Sequence, residues 1–205
     1  IHEEMHPTAE ALSMAEVIHA VNEITKGDAI MVTDVGQHQM VTCRYAKFNQ
    51  TRSNVTSGGL GTMGFGLPAA IGAKFGAPER TVIAVIGDGG IQMTLQEFGT
   101  IMQTGVEVKV MILNNEFLGM VRQWQQLFMD KRYSFVDIAS PDYVMLANSY
   151  KIAAAKVSKR EDLVDAVTKM LAHEGSYVLE VMVGKENNVF PMVPQGCSVS
   201  EIRLK

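Results

Sequence analysis

The chain has 205 residues, of which 47% are hydrophobic and 20% charged, with a formal net charge of -4. This length predicts one domain over residues 1–205, and the scattered Lys and Arg side chains argue against a nucleic-acid partner. No apolar run approaches the roughly 20 residues of a membrane span, so we expect no membrane partner. Cys43 and Cys197 lie far apart without metal-ligand spacing, which predicts reduced thiols in a cytoplasmic protein.

The first predicted elements are a helix and a short buried strand. Ser13, with Glu16 three residues later, has the pattern of a capping box. The apolar side chains that share one face of this helix are Met14, Val17, Ile18, Val21 and Ile24. The helix is predicted to end at Lys26-Gly27. Residues 29–33 then form a short apolar strand that is followed directly by Asp34.

Two more apolar strands are predicted in the middle of the chain, over residues 81–86 and 106–113, each followed by a helix. The first of these helices is expected to direct Leu95, Phe98, Ile101 and Met102 inward, and the second carries Val121, Trp124 and Phe128. A further helix-to-strand unit covers residues 143–155. Ser158 and Glu161 have the pattern of a second capping box. Residues 177–183 are predicted to form the last strand, and the residues after Gly184 are predicted to form a loop.

Alternation of helices and strands predicts an α/β fold with a parallel sheet covered by helices on both faces. Ligands of such sheets bind beyond the carboxyl ends of the strands. Three polar segments follow predicted strands, at residues 34–39, 87–90 and 114–119. The pattern therefore places all three at one edge of the sheet.

Gly87-Asp88-Gly89-Gly90 combines groups that bind anions with a carboxylate that would repel them. Glycines between a strand and a helix let backbone N–H groups approach a phosphate. A divalent cation between Asp88 and the phosphate removes the conflict, and Mg²⁺ is suited to this position. Asn115, 27 residues after Asp88, offers a second oxygen one strand further along. Taken singly, each piece is also compatible with an ordinary turn or helix cap.

The same residues resemble the cofactor motif of the thiamin-diphosphate (ThDP) enzymes: Gly-Asp-Gly, then 24 residues, then Asn-Asn. The resemblance implies that Asp88, Asn115 and the backbone carbonyl of Phe117 bind Mg²⁺. It also implies the ThDP-binding fold, with this chain as the diphosphate-binding domain.

Longer stretches are similar to the C-terminal third of the acetolactate synthase catalytic subunit, also called acetohydroxyacid synthase. They are DVGQHQM, TSGGLGTMGFGLPAAIGA, MTLQEF, LNNEFLGMVRQWQ and PMVPQG, at residues 34–40, 56–73, 93–98, 113–125 and 191–196. The resemblance implies condensation of two pyruvates, or of pyruvate with 2-ketobutyrate, with loss of CO₂. This reaction belongs to branched-chain amino-acid biosynthesis.

The resemblance also assigns cofactor contacts. Gln37 and His38 are expected to bind the diphosphate, the Gly61 carbonyl to accept from the aminopyrimidine, and Met63 to bend the cofactor into a V shape. The other expected cofactor neighbours are Gly87, Gly89, Gly90, Leu118, Gly119 and Met120. Met120 and Trp124 share a helix face by their i, i+4 spacing, and in the family this face lines the substrate pocket. Core packing is the alternative interpretation for this pair.

A second glycine pattern, Gly59-x-Gly61-x-x-Gly64, matches the dinucleotide fingerprint in letters only. The preceding residues 52–57 are polar rather than a buried strand, and no acidic residue follows in the required context. We therefore predict no NAD site.

The resemblance implies that residues outside this chain complete the enzyme. The activating glutamate of the family lies in an N-terminal domain, so we expect this chain alone to be inactive. Homodimers or tetramers through the catalytic chain, FAD in the full-length enzyme and a regulatory subunit are further expectations. Two alternatives stay open: another ThDP-dependent 2-keto-acid enzyme, of the pyruvate oxidase or glyoxylate carboligase type, and a non-catalytic ThDP-binding module.

Overall fold

The computed structural model describes residues 2–185 and 188–204. Over these residues the strands form one parallel sheet in the order β2-β1-β3-β4-β6-β5. The strands are β1 (Ile30–Thr33), β2 (Asn54–Thr56), β3 (Val82–Gly87), β4 (Lys109–Asn114), β5 (Ala153–Val157) and β6 (Tyr177–Met182). The predicted α/β class with an all-parallel sheet is confirmed.

Two of the described helices precede the first strand, and the others lie in the connections between the strands. They are α1 (His2–Met5), α2 (Met14–Thr25), α3 (Gln37–Tyr45), α4 (Gly66–Gly76), α5 (Asp88–Ile91), α6 (Phe98–Thr104), α7 (Gly119–Phe128), α8 (Tyr143–Ser149) and α9 (Arg160–Ala172). Short 3₁₀ turns occupy Gly58–Leu60, Leu95–Glu97 and Val199–Glu201. None of these helices, within the part of the chain that the structure describes, is long and apolar enough to span a membrane.

Two apolar layers cover the sheet, because successive strand residues point to opposite faces. Ile83 and Val85 of β3 pack with α2 and α9 on one face. Ala84 and Ile86 of the same strand pack with α4, α6 and α8 on the other. Both faces are therefore buried, which explains the continuous apolar runs that mark the central strands.

Strand register brings the three predicted polar segments to one edge of the sheet. Thr33 at the end of β1 pairs with Val85, and Gly87 at the end of β3 pairs with Leu113. The residues that follow β1, β3 and β4 are therefore neighbours in space, as the sequence predicted. They form the carboxyl edge of the sheet.

The capping box at the start of α2 is confirmed, with the Ser13 side chain accepting from Glu16 N–H at 3.1 Å. The second predicted box is wrong. The N-cap of α9 is Lys159, and no side chain caps this helix. Residues 52–57, which were predicted not to form a buried strand, contain the edge strand β2, and none of its residues is buried. The helices α3 and α4 were not predicted from the pattern.

The helix predicted after Gly90 is also different in the structure. It begins earlier, at Asp88, and the single turn of α5 is separated from α6 by a turn and a 3₁₀ segment. Phe98 and Ile101 are buried as predicted, whereas Met102 is exposed and Leu95 only partly buried. The break shifts the helical phase, so one continuous apolar stripe does not form.

Candidate active site at the carboxyl edge of the sheet

A cavity of about 230 Å³ opens where β1, β3 and β4 end. All of the residues that were predicted to contact the cofactor line it: Gln37, His38, Gly61, Met63, Gly87, Asp88, Gly89, Gly90, Asn115, Phe117, Leu118, Gly119 and Met120. The structure therefore brings together residues that lie as far apart as 37 and 120 in the chain. Met14, Val35, Gly36, Leu113 and Val121 complete the lining.

Asp88 is the buried carboxylate of this cavity, with 1% of its surface exposed. Burial raises the pKa of Asp88 to about 6, although backbone N–H groups and nearby His38 oppose the shift. The Tyr143 hydroxyl donates to the Asp88 backbone carbonyl at 2.9 Å, and the Ser140 hydroxyl lies 3.5 Å from the carboxylate. A cation beside Asp88 would offset the cost of burying its charge.

A tight turn after β4 carries Asn115 and Phe117, which both line the cavity. Asn114 Oδ1 accepts from Glu116 N–H at 3.0 Å, and Asn115 Oδ1 accepts from Phe117 N–H at 3.2 Å. Glu116 between them has a left-handed backbone, with φ of 60°. Asp88, Asn115 and Phe117 all line the cavity, and each carries an oxygen of the kind that binds a hard metal ion.

Those donors do not form an acidic cluster. Among the described residues, no group of three or more His, Cys, Asp and Glu side chains is arranged to hold a metal. One carboxylate with neutral oxygens fits Mg²⁺, which takes one or two protein carboxylates and completes its shell with phosphate oxygens and water. The arrangement is unlike the nitrogen and sulfur sets that zinc requires.

The first turn of α7 offers N–H groups to an anion. Gly119, Met120 and Val121 begin this ten-residue helix and line the cavity, and the first N–H groups of a helix have no partner within it. The cap residue Leu118 makes no side-chain hydrogen bond to them. These donors fit an anionic ligand such as a diphosphate.

Two glycines are required for close packing beside the cavity. A Cβ on Gly90 would collide with the Asp34 carboxylate, and a Cβ on Gly119 would collide with the Gln37 side chain. A side chain at either position would displace a polar group at the cavity wall.

Asp34 is a site residue that was not among the predicted contacts. Its carboxylate is fully buried, pairs with His38 Nε2 and accepts from Gly64 N–H at 3.2 Å. Asp34 therefore fixes the ring of His38 and joins the segments after β1 and β2. The available signal was its position directly after a buried strand, four residues before His38.

Gln37 is held by a second buried glutamine. Its Nε2 donates to Gln123 Oε1 at 3.0 Å, and Gln123 also bonds both the N–H and the carbonyl of Val189. This bridge joins α3, α7 and the C-terminal segment. Gln123 was not predicted as a site residue, because no local pattern marks a contact over 86 residues.

The loop before α4 supplies one wall of the cavity. Gly61 ends a 3₁₀ turn with a left-handed φ of 58°, and Met63 is half-buried. The Met63 methyl lies 3.5 Å from the Cβ position of Gly89. Met63 is thus the apolar side chain that faces the glycine turn.

Met120 and Trp124 differ in their placement. Met120 lines the cavity, whereas Trp124 lies one turn further along α7, is 36% exposed and stacks on Phe128 with ring centroids 4.8 Å apart. Neither Trp124 nor Phe128 belongs to the two buried apolar layers. Core packing does not explain Trp124 in this structure.

Comparison with known proteins identifies the family. The model of the thiamine pyrophosphate enzyme C-terminal TPP-binding domain matches residues 34–181. The chain belongs to this family. Thiamine pyrophosphate is another name for ThDP, so the cavity at the carboxyl edge lies in a ThDP-binding domain. The expected family is confirmed.

Among curated proteins, the TPP-binding domain is similar to acetolactate synthase large subunits. It is 44% identical to that of Lactococcus lactis subsp. lactis over 188 residues, and 39% identical to the isozyme 2 large subunit of Escherichia coli K12 over 201 residues. These alignments cover 91% and 98% of the chain but only 32% and 36% of the relatives. The chain spans about a third of the length of these relatives.

A solved structure also matches this TPP-binding domain. The ThDP-dependent 4-hydroxybenzoylformate decarboxylase of Rhodococcus jostii RHA1 superposes with a TM-score of 0.80 at 27% identity. The match covers 87% of this chain and 34% of the decarboxylase. The parallel sheet with helices on both faces is therefore the fold of a known ThDP enzyme.

Proposed function

We propose that this chain is the ThDP- and Mg²⁺-binding domain of an acetolactate synthase. The observation that carries the proposal is the convergence of Asp88, Asn115 and the Phe117 carbonyl at neighbouring strand ends, inside a cavity lined by every predicted cofactor contact. Similarity to acetolactate synthase large subunits along nearly the whole chain supports the choice of enzyme.

In this proposal the cation joins the protein to the cofactor's diphosphate. Asp88 supplies the charge, and Asn115 and the Phe117 carbonyl supply neutral oxygens. Gln37, His38 and the N–H groups at the start of α7 hold the diphosphate oxygens. The Gly61 carbonyl and Met63 orient the aminopyrimidine from the opposite wall. When bound, ThDP supplies the chemistry that breaks and forms carbon–carbon bonds next to the carbonyl of a 2-keto acid.

The proposed substrates are two pyruvates, or pyruvate with 2-ketobutyrate. Trp124 stands partly exposed on the same helix as Met120, one turn from the cavity. In that place a flat apolar surface can contact the ethyl group of 2-ketobutyrate without being tied into the core. We propose that Met120 and Trp124 form the substrate side of the site.

We further propose that residues 1–205 form one domain and that activity requires the rest of a longer catalytic chain. The support is the coverage of about a third of each relative. Assembly through the catalytic chain, FAD and a regulatory subunit stay predictions of the resemblance, as does the cytoplasmic location.

The deciding test is acetolactate formation from pyruvate by the full-length enzyme that carries this domain, with and without ThDP and Mg²⁺. Acetolactate that depends on both additions supports the proposal. Release of acetaldehyde or acetyl phosphate would support the assignment of ThDP as cofactor but would overturn the assignment of carboligase activity. Absence of any pyruvate turnover, with intact ThDP binding, would favour the non-catalytic module.

A further inference from the structure

Glu180 is a buried carboxylate that lies one strand away from the cavity. It belongs to β6, and only 2% of its surface is exposed. Its Oε1 accepts from Asn114 Nδ2 at 2.8 Å and from Lys156 Nζ at 3.1 Å. Lys156 is half-exposed, so the bond to Asn114 is the inner of the two contacts.

The hydrogen bond that Glu180 accepts from Asn114 fixes which way the Asn114 amide faces. An amide has one accepting oxygen and one donating nitrogen, whereas an ionised carboxylate can only accept. Glu180 therefore selects the orientation in which Asn114 Nδ2 faces β6. The Asn114 oxygen then faces the turn and accepts from Glu116 N–H at 3.0 Å.

That turn carries the two neutral oxygens of the proposed metal site. Glu116 has a left-handed backbone that an L-amino acid rarely adopts without support. Its N–H is held by Asn114, and the next N–H, of Phe117, is held by Asn115. A flipped Asn114 amide would place a donor against the Glu116 N–H and release the turn.

A gain in stability does not by itself explain why Glu180 is buried. Burying a carboxylate costs free energy, and an apolar side chain of similar size is often equally stable or better. Ligands of a metal ion, by contrast, are commonly oriented by hydrogen-bond partners behind them. An orienting role for Glu180 in the turn would explain why the fold tolerates the free-energy cost of burying this carboxylate.

We propose that Glu180 is a positioning residue for the Mg²⁺ site: through Asn114 it sets the turn that presents Asn115 and the Phe117 carbonyl. The inference rests on the proposed function, because it concerns the same metal site. Glu180 is not one of the residues that line the cavity. It acts through a single buried hydrogen bond across the β4–β6 pair.

The test is a metal titration rather than a rate measurement. Mn²⁺, an EPR-visible substitute for Mg²⁺, is titrated into the full-length enzyme in the presence of saturating ThDP. Glu180→Leu removes the acceptor and should weaken Mn²⁺ binding by about tenfold or more. Glu180→Gln keeps an oxygen that can accept from Asn114 and should recover most of the affinity.

Lys109→Met is the matched control. Lys109 is equally buried, lies on β4 with Asn114, and donates to the carbonyls of His173 and Gly175 far from the cavity. Its loss should lower the melting temperature and leave Mn²⁺ affinity unchanged. This separates a general loss of stability from a local loss of metal-site geometry.

The outcomes distinguish the two proposals. If the unmodified enzyme binds no Mn²⁺ with ThDP, the proposed function itself fails. If it binds Mn²⁺ and Glu180→Leu binds equally well, only the positioning role is overturned. Equal weakening in Glu180→Leu and Lys109→Met would also overturn that role, because the effect would then follow stability.

Discussion

Replacement of Gly90 by alanine should damage the site through one added carbon. The new Cβ would collide with the Asp34 carboxylate, which is fully buried and cannot move into solvent. Displacement of that carboxylate breaks its bonds to His38 and to Gly64 N–H. We therefore expect a stability loss and a disordered His38 ring from the same change.

The magnitude follows from the contacts that are lost. Hydrogen bonds to a charged group contribute about 1.5–3 kcal/mol each, so two of them give about 3–6 kcal/mol. Replacing glycine by alanine within a helix returns about 0.5–1 kcal/mol. The net loss is about 2–5 kcal/mol, which lowers the melting temperature of a domain of this size by roughly 4–20 °C.

Thermal unfolding of Gly90→Ala, read beside Gly72→Ala, measures this loss. Gly72 lies inside α4 with no atom within 4 Å of its Cβ position. Alanine there should raise the melting temperature by roughly 1–4 °C. Equal behaviour of the two variants would refute the collision. In an Asp34→Ala background the cost of Gly90→Ala should largely disappear, because neighbouring changes are not additive.

Three other changes test the site. Because burial raises the pKa of Asp88 from 3.8 to about 6, the group stabilises the metal-free fold below pH 4, and this contribution is lost as the pH rises through 6. Asp88→Asn should remove that slope in urea unfolding with EDTA and weaken ThDP binding with Mg²⁺, so an unchanged slope or affinity would contradict the assignment. Tyr143→Phe removes the bond to the Asp88 carbonyl and should cost about 1 kcal/mol in urea unfolding, with no loss expected if that bond is unimportant. Trp124→Leu should lower the share of product that the full-length enzyme forms from 2-ketobutyrate, without lowering the melting temperature. A constant product ratio would show that Trp124 does not contact the substrate.

Local signals in the sequence were enough for the central strands and the first helix. The apolar runs of β3 and β4 can be buried only in the middle of a covered sheet, and both strands lie there. The capping box of α2 involves only Ser13 and Glu16, three residues apart. Such features need no distant partner, so pattern alone identifies them.

Predictions from local patterns of the same kind were wrong at two helices. Ser158 precedes an acidic residue at the correct spacing, yet α9 begins after Lys159 and its N–H groups are not capped by a side chain. Met102 continues an apolar stripe, yet the break before α6 turns it outward.

The sequence by itself determined the fold class, through apolar strands that alternate with helices, and its resemblance to a known family determined the cofactor family. The same resemblance predicted most of the residues that line the cavity. Tertiary structure decided which side chains hold these motifs in place. Gln37 meets Gln123 across 86 residues, and Asn114 meets Glu180 across 66. These contacts depend on strand order and register, which bring distant residues side by side. No spacing in the sequence predicts them, because the two residues of each pair lie far apart in the chain.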